Sequence, residues 1–168
     1  DHYQEVEKLK KFYGDLCAAK GITFRCEGAE VLPRYVASDI RKGRSIVSRL
    51  LDNAVAFTSN GEIVCRYQQL QPTDEQGVRW ITITISDTGC GIAEELLNEV
   101  FTPFYQLQST LTRSHEGLGI GLSIVKALCE VQGGAITATS QLGVGTTFSV
   151  KVPYYDLSAA ELAALQEQ

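Results

Sequence analysis

Four short segments stand in fixed order along this chain: Asn53-Ala54, Asp87-Thr88-Gly89-Cys90-Gly91-Ile92, Phe101-Thr102-Pro103-Phe104 and Gly117-Leu118-Gly119-Ile120-Gly121-Leu122. Each alone is weak, because glycine-rich runs mark turns of many kinds and an Asn-Ala pair arises by chance. Each nevertheless falls at the edge of a stretch whose apolar spacing reads as helix or strand. Glycines placed where a strand ends and where a helix begins let backbone approach a ligand closely, and in this order the segments describe a nucleotide pocket.

The apolar periodicity supplies the frame. Glu5 to Ala19 reads as a helix with Val6, Leu9, Phe12, Tyr13, Leu16 and Cys17 on one face, closed by Lys20-Gly21. Ile22 to Cys26 is a short strand. Asp39 is the expected N-cap of a helix running to about Phe57, in which Ile46, Val47, Leu50, Leu51, Ala54 and Phe57 recur at helical spacing with Asn53 beside them. Ser59-Asn60-Gly61 turns the chain into a strand from Glu62 to Leu70. A polar loop from Pro72 to Gly77 leads to Trp80-Ile81-Thr82-Ile83-Thr84-Ile85, whose alternation marks a half-buried strand. A helix from about Glu94, an irregular stretch from Thr102 to Glu116, a helix from about Gly119 to Val131 and strands Ala135 to Ser140 and Thr146 to Val152 follow. The sum is an α/β two-layer sandwich, a mixed sheet with helices packed on one face. Residues 1–155 form the expected domain, and 156–168, rich in Ala, Leu and Glu, a frayed helical tail or linker.

Composition narrows the function. With 44% hydrophobic and 21% charged residues in 168 positions, the chain is ordinary for one compact unit. No apolar run approaches the roughly 20 residues a bilayer requires, and Asp1-His2-Tyr3-Gln4-Glu5 lacks the look of a signal peptide, so a cytoplasmic location is expected. Five cysteines without a C-x-x-C pair indicate neither a disulfide framework nor zinc, and read as reduced thiols. A net charge of −5 argues against nucleic acid as a partner, and a polyanionic nucleotide must then meet a local basic cluster.

The segments have chemical readings. Asp87 puts a carboxylate at the edge of the sheet, where it could accept the exocyclic amine of adenine and reject guanine, which carries an oxygen there. A plain Asp-Thr-Gly turn capping a strand is the competing reading. Asn53 offers an amide oxygen, a hard ligand suited to Mg²⁺ alongside phosphates and waters; an Asn hydrogen-bonded on a helix flank is its bland alternative. Gly117, Gly119 and Gly121 open a helix whose free N–H groups and positive dipole end would cradle phosphates. The Gly-Lys-Ser/Thr ending of a Walker A loop is absent, and no acidic βαβ fingerprint follows. Tyr105 to Glu116 is polar and aperiodic, as expected of a mobile lid.

With these segments in place, the chain resembles the catalytic, ATP-binding domain of sensor histidine kinases, in the GHKL superfamily shared with gyrase, mismatch-repair ATPases and heat-shock chaperones. The resemblance runs from about Glu5 to Pro153. It maps Asp39 through Thr58 onto the family's N box, 87–92 onto its first glycine box, 101–104 onto its F box, 117–122 onto its second glycine box and 143–148 onto its third. Thr112-Arg113 is most similar to hybrid kinases that carry a fused receiver domain. The likeness implies a Bergerat-type fold that binds Mg-ATP under a flexible lid and presents the γ-phosphate to a histidine on a separate dimerisation domain. It implies that Asp87 reads adenine, that Asn53 holds Mg²⁺, and that Phe57, Gly89, Gly91, Ile92, Phe104, Leu122 and Thr147 complete the pocket. Gly117, Gly119 and Gly121 would hinge the lid, and Asn53, Arg49 and Arg113 are the candidate catalytic residues. The implied partners are the dimerisation and phosphotransfer domain of the same protein, a receiver domain or response regulator, and another sensor kinase.

The sequence also departs from that pattern. Arg49 stands where the family has Asn, four residues before Asn53, and Ala56 where it has Lys or Arg. Leu118 replaces a common Thr and Glu116 a common Gly, and neither His2 nor His115 has the context of a phosphoacceptor. Two expectations of different class follow: a kinase catalytic domain, or a degenerate domain that binds nucleotide poorly and regulates another kinase. Gyrase-like gating is a weaker third, since Arg49 occupies the place of that group's Glu.

Overall fold

Short polar caps and a strict alternation of apolar residues set the frame of this fold, and the computed structural model describes it for residues 1–70, 78–103 and 121–167. Helix α1 (His2–Lys20) opens on Asp1, whose carboxylate accepts the Gln4 amide, and closes on Gly21 in the left-handed conformation at φ +73°. Strand β1 (Ile22–Glu27) follows, then a single 3₁₀ turn at Ala29–Val31 and the two-residue β2 (Val36–Ala37). Helix α2 (Ile40–Phe57) is capped by Asp39, which accepts the Lys42 amide, and buries Ile46, Val47, Leu50, Leu51, Ala54 and Val55. Strands β3 (Gly61–Gln69) and β4 (Arg79–Asp87), helix α3 (Gly121–Val131), strands β5 (Ala135–Gln141) and β6 (Gly145–Asp156) and helix α4 (Ala159–Gln166) complete the order.

The six strands form one mixed sheet. Strand β1 lies parallel to β3, β3 antiparallel to β4, and β4 antiparallel to β6. Along its outer side β6 pairs first with β5 and, at Tyr155 and Asp156, with β2. The period of two sends Ile63, Cys65, Tyr67, Ile81, Ile83, Ile85, Phe148, Val150, Val152 and Tyr154 into one core with the buried faces of α1, α2 and α3. The alternate residues make a polar face, where the hydroxyls of Thr84 and Ser149 lie 3.3 Å apart and the Lys151 ammonium sits 4.5 Å above the Trp80 ring. Helices on one face and an open polar face on the other are the two-layer sandwich that the sequence implied.

Several local expectations change. The stretch from Glu94 holds two separate 3₁₀ turns, Glu94–Leu96 and Glu99–Phe101, in place of a helix. Ala93, at the position of an N-cap, has no side-chain oxygen to accept the first free amides, so a longer helix lacks its start. Phe12 remains 62% exposed, because the apolar stripe of α1 is wider than the face the sheet covers. The tail is an ordered helix: the Ser158 hydroxyl accepts the Glu161 amide while the Glu161 carboxylate accepts the Ser158 amide, although α4 buries no residue.

Candidate nucleotide site

The course of the chain gathers the candidate residues at one end of the sandwich. Gly61 begins β3, Ile63 pairs with Asp87, and Asp87 pairs with Thr146, so the end of β4 and the starts of β3 and β6 share that end. Helix α2 finishes there too, since the Phe57 carbonyl accepts the Cys90 amide at 3.2 Å. Asn53, half-buried, lies one turn before Phe57 on the same helix.

Asp87 is partly buried, and its Oδ1 accepts the Gly89 amide at 2.9 Å, an Asx turn that points the carboxylate at the strand end. Burial raises its pKa above the ordinary value, against the opposing hydrogen bonds from the backbones of Gly89 and Thr146. A half-desolvated carboxylate with remaining acceptor capacity suits a neutral N–H donor such as an adenine amine. The Thr88 hydroxyl accepts the Glu62 amide at 2.9 Å and ties the end of β4 to β3.

The glycines are there for contact. A Cβ on Gly89 would stand 2.3 Å from the Phe57 carbonyl oxygen, so only glycine lets this loop lie against the end of α2. Gly91 adopts φ +72°, and a Cβ there would meet the Gln141 carbonyl oxygen at 2.2 Å. Buried Ile92 follows, and its amide donates to the Ser140 hydroxyl at 2.7 Å. Ser140 also bonds the Gly145 carbonyl at 2.9 Å and the Thr146 hydroxyl at 2.8 Å, locking the 87–92 loop to the β5–β6 hairpin. The sequence reading has Ser140 only as the end of a strand, because nothing in a serine among β-formers singles it out for this role.

One expected residue is on the wrong face. Thr147 bonds Ser86 across the open polar face at 2.9 Å, whereas buried Thr146 is the register partner of Asp87. Alternation decides this: Phe148, Val150 and Val152 point to the core, so Thr146 does also, and Thr147 does not. Arg49 donates through Nε to the Ser45 hydroxyl at 3.1 Å, toward the start of α2, while Asn53 lies one turn the other way. Ala56 and Phe57 are half-buried, and Leu122 packs against the core from the first turn of α3, which begins at Gly121. Phe104, Arg113, Gly117, Leu118, Gly119 and the expected lid, Tyr105 to Glu116 with His115, lie outside the described residues.

Comparison with known proteins places this arrangement in a class. Residues 38–156 match the family described as histidine kinase-, DNA gyrase B- and HSP90-like ATPase, and the chain belongs to that family. It is 35% identical over 152 residues to the autoinducer 2 sensor kinase/phosphatase LuxQ of Vibrio vulnificus (strain YJ016), covering 90% of this chain and 18% of that protein. It is 37% identical over 122 residues to hybrid signal transduction histidine kinase B of Dictyostelium discoideum, covering 73% of this chain and 6% of that one. The chain thus spans under a fifth of the length of either relative. Among solved structures, full-length ShkA in complex with AMPPNP superposes with a TM-score of 0.75 at 25% identity, covering 95% of this chain and 31% of that one. Of these, the Vibrio relative is by name a sensor kinase/phosphatase and the Dictyostelium one a hybrid histidine kinase. No helix among the described residues is long and apolar enough to cross a membrane.

Proposed function

We propose that this chain is the ATP-binding catalytic domain of a two-component sensor histidine kinase, which holds Mg-ATP and offers the γ-phosphoryl group to a histidine on a separate dimerisation domain. The observation that carries the reading is the half-buried Asp87 carboxylate, fixed by the Gly89 amide where the end of α2 meets the strand ends. Asp87 takes the adenine amine, Thr146 and Ile92 hold the loop around it, and Phe57 and Leu122 border the base. Asn53 supplies the protein oxygen for Mg²⁺. The cation, when bound, neutralises charge on the phosphates; the chain itself works by positioning and by excluding competing geometries. Arg113 and the glycines at 117, 119 and 121 complete the phosphate end. The domain proper ends with β6, and α4 leads to a neighbouring segment. Its partners are the phosphotransfer domain of its own protein and a receiver domain, on the cytoplasmic side.

Calorimetric titration of the chain with Mg-ATP, Mg-ADP and Mg-GTP tests the reading. Adenine nucleotides bind and GTP does not; Asp87→Asn, which turns an acceptor toward the adenine amine into a donor, weakens ATP binding by about 1–3 kcal/mol. A parent chain that binds neither adenine nucleotide would sink the proposal. An Asp87→Asn chain with undiminished affinity would remove Asp87 from the base pocket.

A further inference from the structure

Two cysteines face each other across the one parallel strand pair of the described sheet. Cys26 on β1 and Cys65 on β3 are register partners. Register partners in parallel strands point to the same side, and the usual strand spacing of about 4.8 Å lies inside the Cα separation that a disulfide spans. Cys65 is fully buried, with buried Tyr67 two residues on along the same face of the strand. Cys26 is only half-buried, and β1 ends the sheet, so a small oxidant reaches Cys26 first and the outer strand can yield the small shift that bond formation requires. Among the described residues no other cysteine is a register partner of a second one.

We propose that Cys26 and Cys65 are an oxidant-responsive thiol pair, a modification site that hydrogen peroxide closes to a disulfide between β1 and β3. The sulfur of Cys26 attacks one peroxide oxygen, the O–O bond breaks, and water leaves as Cys26 becomes a sulfenic acid. The Cys65 sulfur then attacks the Cys26 sulfur, its proton leaves with the hydroxyl as a second water, and the S–S bond forms. Two thiols are oxidised and one peroxide is reduced to two waters. The charge environment assigns these roles: the neighbouring Cys65 thiol, assisted by Lys10 and opposed by burial and by Glu7 and Glu30, holds the Cys26 thiol below its ordinary value. Cys65 is pushed the other way by Cys26 and by burial. The bridge closes a ring that contains the whole of α2, so oxidation ties the layer of α1 and β1 to the frame around the asparagine helix.

The test treats the folded chain with hydrogen peroxide, alkylates the remaining thiols in denaturant and maps peptides without reduction. The expected result is a peptide joining Cys26 to Cys65 and a fall in alkylated cysteines from five to three, reversed by dithiothreitol. Cys26→Ser and Cys65→Ala each abolish the linked peptide. Amide exchange in β1 slows on oxidation of the parent and returns to its former rate on reduction, a readout that does not depend on either variant folding. Recovery of both residues as alkylated thiols, capture of Cys26 by dimedone as a lasting sulfenic acid, or linkage of either to Cys17, Cys90 or Cys129 would each overturn the proposal.

Discussion

Thr146 and Thr147 are neighbours in sequence and stand on opposite faces of the sheet. Thr146→Val keeps the shape of the side chain and removes the hydroxyl that meets Ser140, so nucleotide affinity falls by about 1 kcal/mol; Thr147→Val, on the polar face, leaves affinity unchanged. Titrating both variants with Mg-ATP separates them. The parity of β6 was legible, since Phe148, Val150 and Val152 already pointed inward in the sequence, but the likeness to known motifs named a segment rather than a face. A second residue-scale expectation concerns Arg49, which the structure ties to Ser45. If its charge weakens the metal region, Arg49→Asn with Ala56→Lys strengthens Mg²⁺-dependent ATP binding, and calorimetry with and without Mg²⁺ shows whether the parent was already tight and strongly Mg²⁺-dependent. Acid stability has its own residue. Glu5 accepts from the Arg44 guanidinium at 2.6 Å, and this bond, against burial and with help from Lys8, holds its pKa down from 4.5 to about 2. A carboxyl depressed on folding stabilises the fold above its unfolded value, and that contribution drains away as pH falls from 4.5 toward about 2. Glu5→Gln therefore flattens the acid limb of a pH-dependent denaturation series over that window and leaves the shape of the curve near neutrality unaltered; solvent and salt keep the effect small.

At the scale of elements, capping separated what the sequence disclosed from what it concealed. Asp1 and Asp39 each accept an amide from the first turn of their helices, and both helices were readable from their stripes. Around Glu94 the spacing of Leu96, Leu97, Val100 and Phe101 mimics a helix, and all four pack in or against the core, yet from two short turns. Periodicity reports which residues seek the core; it does not report whether a run has the polar ends that let a helix begin. The two-residue β2 was illegible for a different reason, being too short to show an alternation. Helix α4 is the converse case, well capped and without a buried residue. Removing residues 157–168 therefore leaves the urea midpoint and nucleotide affinity of the rest unchanged. A large drop in either, measured on the chain ending at Asp156, would show that the tail belongs to the domain.

For the whole molecule, the alternation of β3, β4 and β6 and the two long stripes sufficed to imply a two-layer sandwich, because each apolar face has only one way to be covered. What pairs with what was less legible: β1 beside β3, and β2 and β5 sharing one side of β6, rest on contacts far apart in sequence. The same topology sorts the two ends of the sandwich. Asp87, Phe57 and Gly145 meet at one, while the His2 amide donates to the Arg34 carbonyl, Arg34 pairs with Asp1, and Val36 pairs with Asp156 at the other. The first helix therefore starts beside the strand on which the sheet finishes. Such a chain is a natural subject for circular permutation: a short glycine–serine link from the end of β6 to Asp1, with new termini opened between Leu70 and Val78, keeps every strand pairing and moves no residue at the Asp87 end. The order in which the chain is threaded would change while the nucleotide end stayed as it is, and a permuted protein that titrates with ATP like its parent would show that the site belongs to the layers rather than to the order in which they are joined.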